Sequence, residues 1–161
     1  MKNIDSNYLR ATVFGFEDSL VSTTGLIAGM SAGTSNGRII LLAGLVAVAV
    51  EALSMGSGQY LSERAAQQAN PHEKDSVAIG AALMFFSYLF AGLIPILPII
   101  LLPLPGAVVV SVLSAIVGLF VLGYVKGKMV RVAPVRSAME MVIVGGGAAL
   151  IGIGVGFLLK V

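Results

Sequence analysis

The chain predicts an all-α integral membrane protein with five transmembrane helices, and three observations carry that reading. Of 161 residues, 57% are hydrophobic and only 11% charged, whereas a soluble domain is about 45–50% apolar and about a quarter charged. The mean hydropathy is +0.98. Five separate stretches each supply the roughly 20 mostly apolar residues that a helix needs to cross about 30 Å of hydrocarbon. The absence of cysteine excludes a disulfide scaffold and a cysteine-ligated metal centre, and the composition excludes disorder. No nucleic-acid partner is expected, because the net charge is only +2 and the basic residues stand between apolar runs.

The expected helices cover about residues 11–32, 39–61, 77–98, 106–125 and 135–159, and together they make residues 1–161 a single transmembrane domain. None alternates apolar and polar residues as a barrel strand does. Ten polar-leaning residues precede the first helix with no cleavage-site pattern, so no cleaved signal peptide is expected. Asn36-Gly37 breaks the chain between the first two helices. The stretch SERAAQQANPHEKDS (62–76) is the longest polar segment and extends the second helix by a turn or two. Pro95, Pro98, Pro103 and Pro105 crowd the third connection, where a chain short of backbone donors can reverse. Residues 126–136 form the most basic connection.

Lys and Arg set the expected orientation. Lys2, Arg10, Arg64, Lys74, Lys126, Lys128, Arg131 and Arg136 fall on one side, and only Arg38 and Lys160 on the other. The N-terminus is therefore expected in the cytoplasm and the protein in the plasma (inner) membrane as a multi-pass component.

Four acids interrupt apolar helices: Glu17, Asp18, Glu51 and Glu140. An ionisable group inside a membrane is costly and by default marks an ion or proton path. Glu51 stands near the middle of the second helix, too deep to reach either surface easily. Asp18 lies about two turns into the first helix and is followed by Ser19, Ser22, Thr23 and Thr24. Those hydroxyls suit either ion coordination or hydrogen bonds between helices. Glu17 points about 100° away from Asp18 and reaches toward the interface. Glu140 follows Arg136 by four residues, which favours an interfacial ion pair.

Met55 and Gln59 follow Glu51 at four-residue spacing and share one helix face with it. A carboxylate, a thioether and an amide together suit a first-row transition metal better than Mg²⁺ or Ca²⁺. Gly25, Gly29 and Gly33 on the first helix and Gly152 and Gly156 on the fifth recur every four residues, a spacing that lets helix backbones approach closely within one chain or across a dimer. Gly56 and Gly58 are expected to bend the second helix or free carbonyls beside Met55. Glu63, with His72, Glu73 and Asp75, could gather cations at the cytoplasmic mouth, but a solvated loop is the better explanation of that charge run, as it is of most. The single histidine excludes a histidine metal cluster and a His-based triad, and VIVGGGAAL lies inside a spanning helix rather than after a strand, so it is no phosphate loop. No enzymatic activity is expected.

Two segments, FGFEDSLVSTTGLIAGMSAG (14–33) and EALSMGSGQYLSE (51–63), resemble the signature segments of the vacuolar iron transporter family. Asp18, Leu20 and Val21 match the first, and Ser54, Met55, Gly56, Gly58, Tyr60 and Ser62 the second. The resemblance implies a homodimer that moves Fe²⁺, and often Mn²⁺, out of the cytoplasm against H⁺, with no permanently bound cofactor. By position it implies metal-handling roles for Asp18 and Met55. The chain departs from the family pattern at Ser19 and Gln59, at Ala47 where the family acid falls one turn before Glu51, and in having only a short loop where plant-like members carry a metal-binding domain.

The sequence thus predicts a divalent-metal/proton antiporter with metal at Asp18, Glu51 and Met55 and a path lined by Glu17, Ser22, Gln59 and Glu63. A membrane assembly or sensor protein with structural acids, and a passive cation channel, stay open, as does the choice among iron, manganese, zinc and cobalt.

Overall fold

The computed structural model describes residues 6–70, 75–104 and 106–159. Five helices follow one another: α1 (Ser6–Gly33), α2 (Gly37–Ala69), α3 (Val77–Leu101), α4 (Gly106–Met129) and α5 (Pro134–Leu158). Lys2, His72, Glu73, Lys74, Pro105 and Lys160, which entered the sequence reading, lie outside the described residues.

By length and composition, α2 to α5 are four helices able to cross a membrane, and α1 is not among them. The polar run from Glu17 to Thr24 dilutes its hydropathy. Its position in the bundle compensates, since α1 touches every other helix. Leu20 packs with Ala91, Ala115, Leu119 and Met141 from α3, α4 and α5, while Ile27 packs with Ile40, Val48 and Ile96 from α2 and α3. By contrast α2 lies at the edge, against α1 and α3 only among the described residues. Leu42, Val46, Val50 and Leu53 on its outer face are exposed, as lipid-facing side chains are in the absence of lipid.

Several connections differ from expectation. Asn36 is a cap rather than merely a breaker: its side chain accepts from the N–H groups of Arg38 and Ile39 at 3.1 and 3.4 Å, satisfying donors that a helix start leaves free. Pro95 and Pro98 lie inside α3, which continues to Leu101. A proline removes the hydrogen bond to the carbonyl four residues earlier, so Pro98 frees the Ile94 carbonyl. Ser111 Oγ on α4 donates to Pro95 O at 2.6 Å and Ser114 Oγ reaches Ile94 O at 3.5 Å, a substitution that the apolar interior requires.

Gly56 and Gly58 do not interrupt α2 either, which is continuous from Gly37 to Ala69. A Cβ on Gly56 would fall 2.9 Å from Phe85 Cβ, so this glycine serves close packing against α3. The glycine stripes join α1 to α5 within the chain: a Cβ on Gly29 would stand 2.6 Å from Gly152 O.

Gly29→Val is expected to destabilise the bundle by about 1–3 kcal/mol, the usual cost of overpacking, while Gly154→Ala, which meets nothing within 4 Å, changes stability little. Unfolding of the detergent-solubilised variants checks both.

Candidate functional site

The carboxylate of Glu51 sits where α1, α2 and α3 meet. Its Oε2 accepts a short hydrogen bond from the Tyr88 hydroxyl of α3 and a second from Ser22 Oγ of α1 at 3.3 Å. Ser22 Oγ and Tyr88 Oη are themselves 2.7 Å apart. Three helices therefore converge on one carboxylate oxygen. Among the described residues, Oε1 accepts no hydrogen bond.

Small residues bring the helices close enough for this. One turn beyond Tyr88, Gly92 faces both neighbours, and a Cβ there would fall 2.6 Å from Val48 Cγ2 and 2.7 Å from Ser19 Oγ. Gly56 performs the same service five residues after Glu51. Ser19 Oγ donates to the Tyr88 carbonyl at 2.6 Å and fixes the α3 backbone to α1 at the site. Tyr88 is 1% exposed, and a buried tyrosine hydroxyl finds a partner.

Asp18, half-buried one turn before Ser22, is close enough to Glu51 for their charges to interact. Met55 and Gln59 follow Glu51 along α2, both half-buried. Gln59 Nε2 donates to Glu63 Oε1 at 2.6 Å, and the Glu63 carboxylate packs against Gly80 of α3, with its Oε2 buried and unpartnered. Glu51, Met55, Gln59 and Glu63 thus form one half-buried stripe between the packed and outer faces of α2. Glu17 is half-buried and takes no part in the network. The hydroxyls of Ser19 and Ser22 bond between helices, whereas Thr23 Oγ1 and Thr24 Oγ1 are buried without a partner among the described residues.

Among the described residues, no three His, Cys, Asp or Glu side chains gather as a metal site. Asp75 accepts from Asn7 Nδ2 at 2.6 Å, and Arg136 Nε pairs with Glu140 Oε1 at 3.1 Å on an exposed surface. Tyr88 is the component that sequence reasoning missed. Its only signal was a lone polar aromatic in an otherwise apolar α3, and nothing in the spacing ties it to Glu51.

A bundle of long apolar helices around a polar α1, with two half-buried carboxylates where α1, α2 and α3 meet, defines a multi-pass helical membrane protein with an acidic site among its helices. Its sequence is matched by the VIT family model over residues 9–79 and 68–157, and the chain belongs to that family. The two matched pieces meet at the α2–α3 connection. A vacuolar iron transporter of Centaurea cyanus is 28% identical over 200 aligned positions, covering 85% of this chain and 82% of the relative. Vacuolar iron transporter 1 of Arabidopsis thaliana is 28% identical, at 85% and 80% coverage. Vacuolar iron transporter homolog 5 of rice is 32% identical over 162 positions, covering 90% of this chain and 76% of the relative.

Replacing Glu51 by Gln keeps an acceptor for Tyr88 and Ser22 and is expected to leave stability within about 1 kcal/mol of the parent. Glu51→Leu removes the charged acceptor of the cluster, leaves Tyr88 and Ser22 only each other, and is expected to cost about 1–3 kcal/mol. Thermal unfolding in detergent distinguishes them.

Proposed function

We propose that the protein carries divalent transition-metal ions, Fe²⁺ or Mn²⁺, out of the cytoplasm in exchange for protons. The observation that carries this reading is that Asp18 on α1 lies within reach of the charge of Glu51 on α2. Two like charges in a poorly screened interior need neutralising. A divalent cation does so, and two protons do so equally, which makes cation and protons alternative occupants of one site. The family relationship supports the same reading, since the relatives are named as vacuolar iron transporters.

Asp18 and Glu51 serve as the oxygen ligands, and Met55 adds a thioether, which favours a transition metal over the alkaline earths. Ser22 and Gln59 line the path, Glu17 and Glu63 stand toward its cytoplasmic mouth, and α1 completes five transmembrane passes. Arg10, Arg64, Lys126, Lys128, Arg131 and Arg136 lie at the bundle end formed by the start of α1, the end of α2 and the α4–α5 connection. That distribution supports a cytoplasmic N-terminus. The half-exposed polar stripe of α2 supports a homodimer, because a second copy would cover it where lipid would not be tolerated. The relatives' names speak of a vacuole and lend no support to the plasma membrane expected from the sequence. What the proposal retains is a membrane with cytoplasm on one side.

Proteoliposomes containing the purified protein and a pH dye test the reading. Fe²⁺ or Mn²⁺ entry is expected to drive protons outward, and Glu51→Gln and Asp18→Asn are each expected to reduce the metal-dependent rate at least tenfold. Metal entry without a proton signal identifies a passive channel. Loss of both signals in the folded parent protein leaves the acids as structural elements of an assembly or sensor protein.

A further inference from the structure

Tyr88 satisfies its own hydroxyl by bonding Glu51, but the geometry does more than that. Each carboxylate oxygen offers about two acceptor positions. The Tyr88 hydroxyl donates to Oε2, and Ser22 Oγ shares its one proton between Tyr88 Oη at 2.7 Å and the same Oε2 at 3.3 Å, leaving Oε1 without a hydrogen bond from any described residue. Neither donor is loosely held. The Tyr88 ring is enclosed, its carbonyl is bonded by Ser19, and its hydroxyl is bonded to Ser22 as well as to Glu51. The carboxylate is therefore anchored through one oxygen and presents the other.

We propose that Tyr88, assisted by Ser22, is a positioning residue that makes the site discriminate against Ca²⁺ by tying up one oxygen of Glu51. The inference rests on the transport reading above. Ca²⁺ takes six to eight oxygen ligands in a flexible shell and readily accepts a carboxylate through both oxygens. First-row divalent ions take fewer ligands and accept nitrogen or sulfur donors. A Glu51 limited to Oε1, with Met55 one turn away, offers such an ion one hard and one soft ligand while denying Ca²⁺ the two-oxygen grip. Releasing Oε2 lets the carboxylate turn and bind through both oxygens, and that change favours Ca²⁺ over Mn²⁺.

The test compares the parent protein with Tyr88→Phe and Ser22→Ala. Mn²⁺ uptake into proteoliposomes is measured with Ca²⁺ as competitor, and Mn²⁺ binding to the detergent-solubilised protein is followed by electron paramagnetic resonance with Ca²⁺ displacement. In Tyr88→Phe the Ca²⁺ concentration that halves Mn²⁺ uptake or binding is expected to fall roughly tenfold, about the effect of one hydrogen bond to a charged group. In Tyr88→Phe the shift in the Ca²⁺ half-inhibition concentration is expected to exceed any change in the KM for Mn²⁺, since no Mn²⁺ ligand is removed. Ser22→Ala is expected to shift the same ratio in the same direction but by less, and it decides the matter if Tyr88→Phe does not fold.

An unchanged Ca²⁺/Mn²⁺ ratio in a folded variant overturns the proposal. So does an equal loss of both ions, which a merely structural hydroxyl would produce. If the parent binds Mn²⁺ but does not transport it, the transport reading fails while the displacement ratio still judges Tyr88. If the parent binds no Mn²⁺, both fall.

Discussion

A helix too polar for lipid has to be enclosed by helices that are not, and the bundle is arranged around that constraint. Glu17, Asp18 and four hydroxyl residues lie within eight consecutive positions of α1. Exposed to hydrocarbon, they would carry a heavy desolvation cost. Placed at the centre, α1 is covered by α3, α4 and α5 on most sides and by α2 on the remaining one. The four apolar helices then need no internal contrast between faces, because lipid and protein interior suit the same side chains.

Enclosure demands close approach, and small residues supply it. Along the α1–α5 seam, Gly25, Gly29, Gly152 and Gly156 bring backbone against backbone. Around the site, Gly56 and Gly92 hold α2 and α3 together so that Glu51 and Tyr88 can touch. The prolines of α3 belong to the same economy of polar groups. Each frees a carbonyl, and serines from α4 approach the carbonyls in that turn where no water would serve.

These arrangements give Glu51 an unusual situation. It is neither buried in apolar packing nor open to solvent, but anchored by two hydroxyls on one side while sharing the field of Asp18 on the other. A purely structural carboxyl needs only the first of these features. The second, a like charge left close by in a bundle that could have placed any apolar residue there, is the feature that supports the proposed cation exchange. The polar stripe of α2 continues from that point toward the end of the bundle where the basic residues gather.

How much was legible in the sequence follows from the range of each interaction. Hydropathy, helix count, the boundaries near Gly33, Val77 and Gly106, and the Arg136–Glu140 pair depend on neighbours along the chain or on composition, and the sequence by itself determined them. Asp18 and Glu51 stood out as candidates for a similar reason, because an acid in an apolar run is conspicuous wherever it packs. The prolines of α3 were misplaced, since a proline ends a helix unless some other donor serves the freed carbonyl, and Ser111 and Ser114 are on a different helix. Gly56 suggested a bend for the same reason: only the approach of Phe85 shows it to be a packing position. Tyr88 was invisible because its partner is 37 residues away and no periodicity links two helices. Only the tertiary structure decided that one oxygen of Glu51 is held and the other left open, because that outcome depends on three helix axes converging at one point.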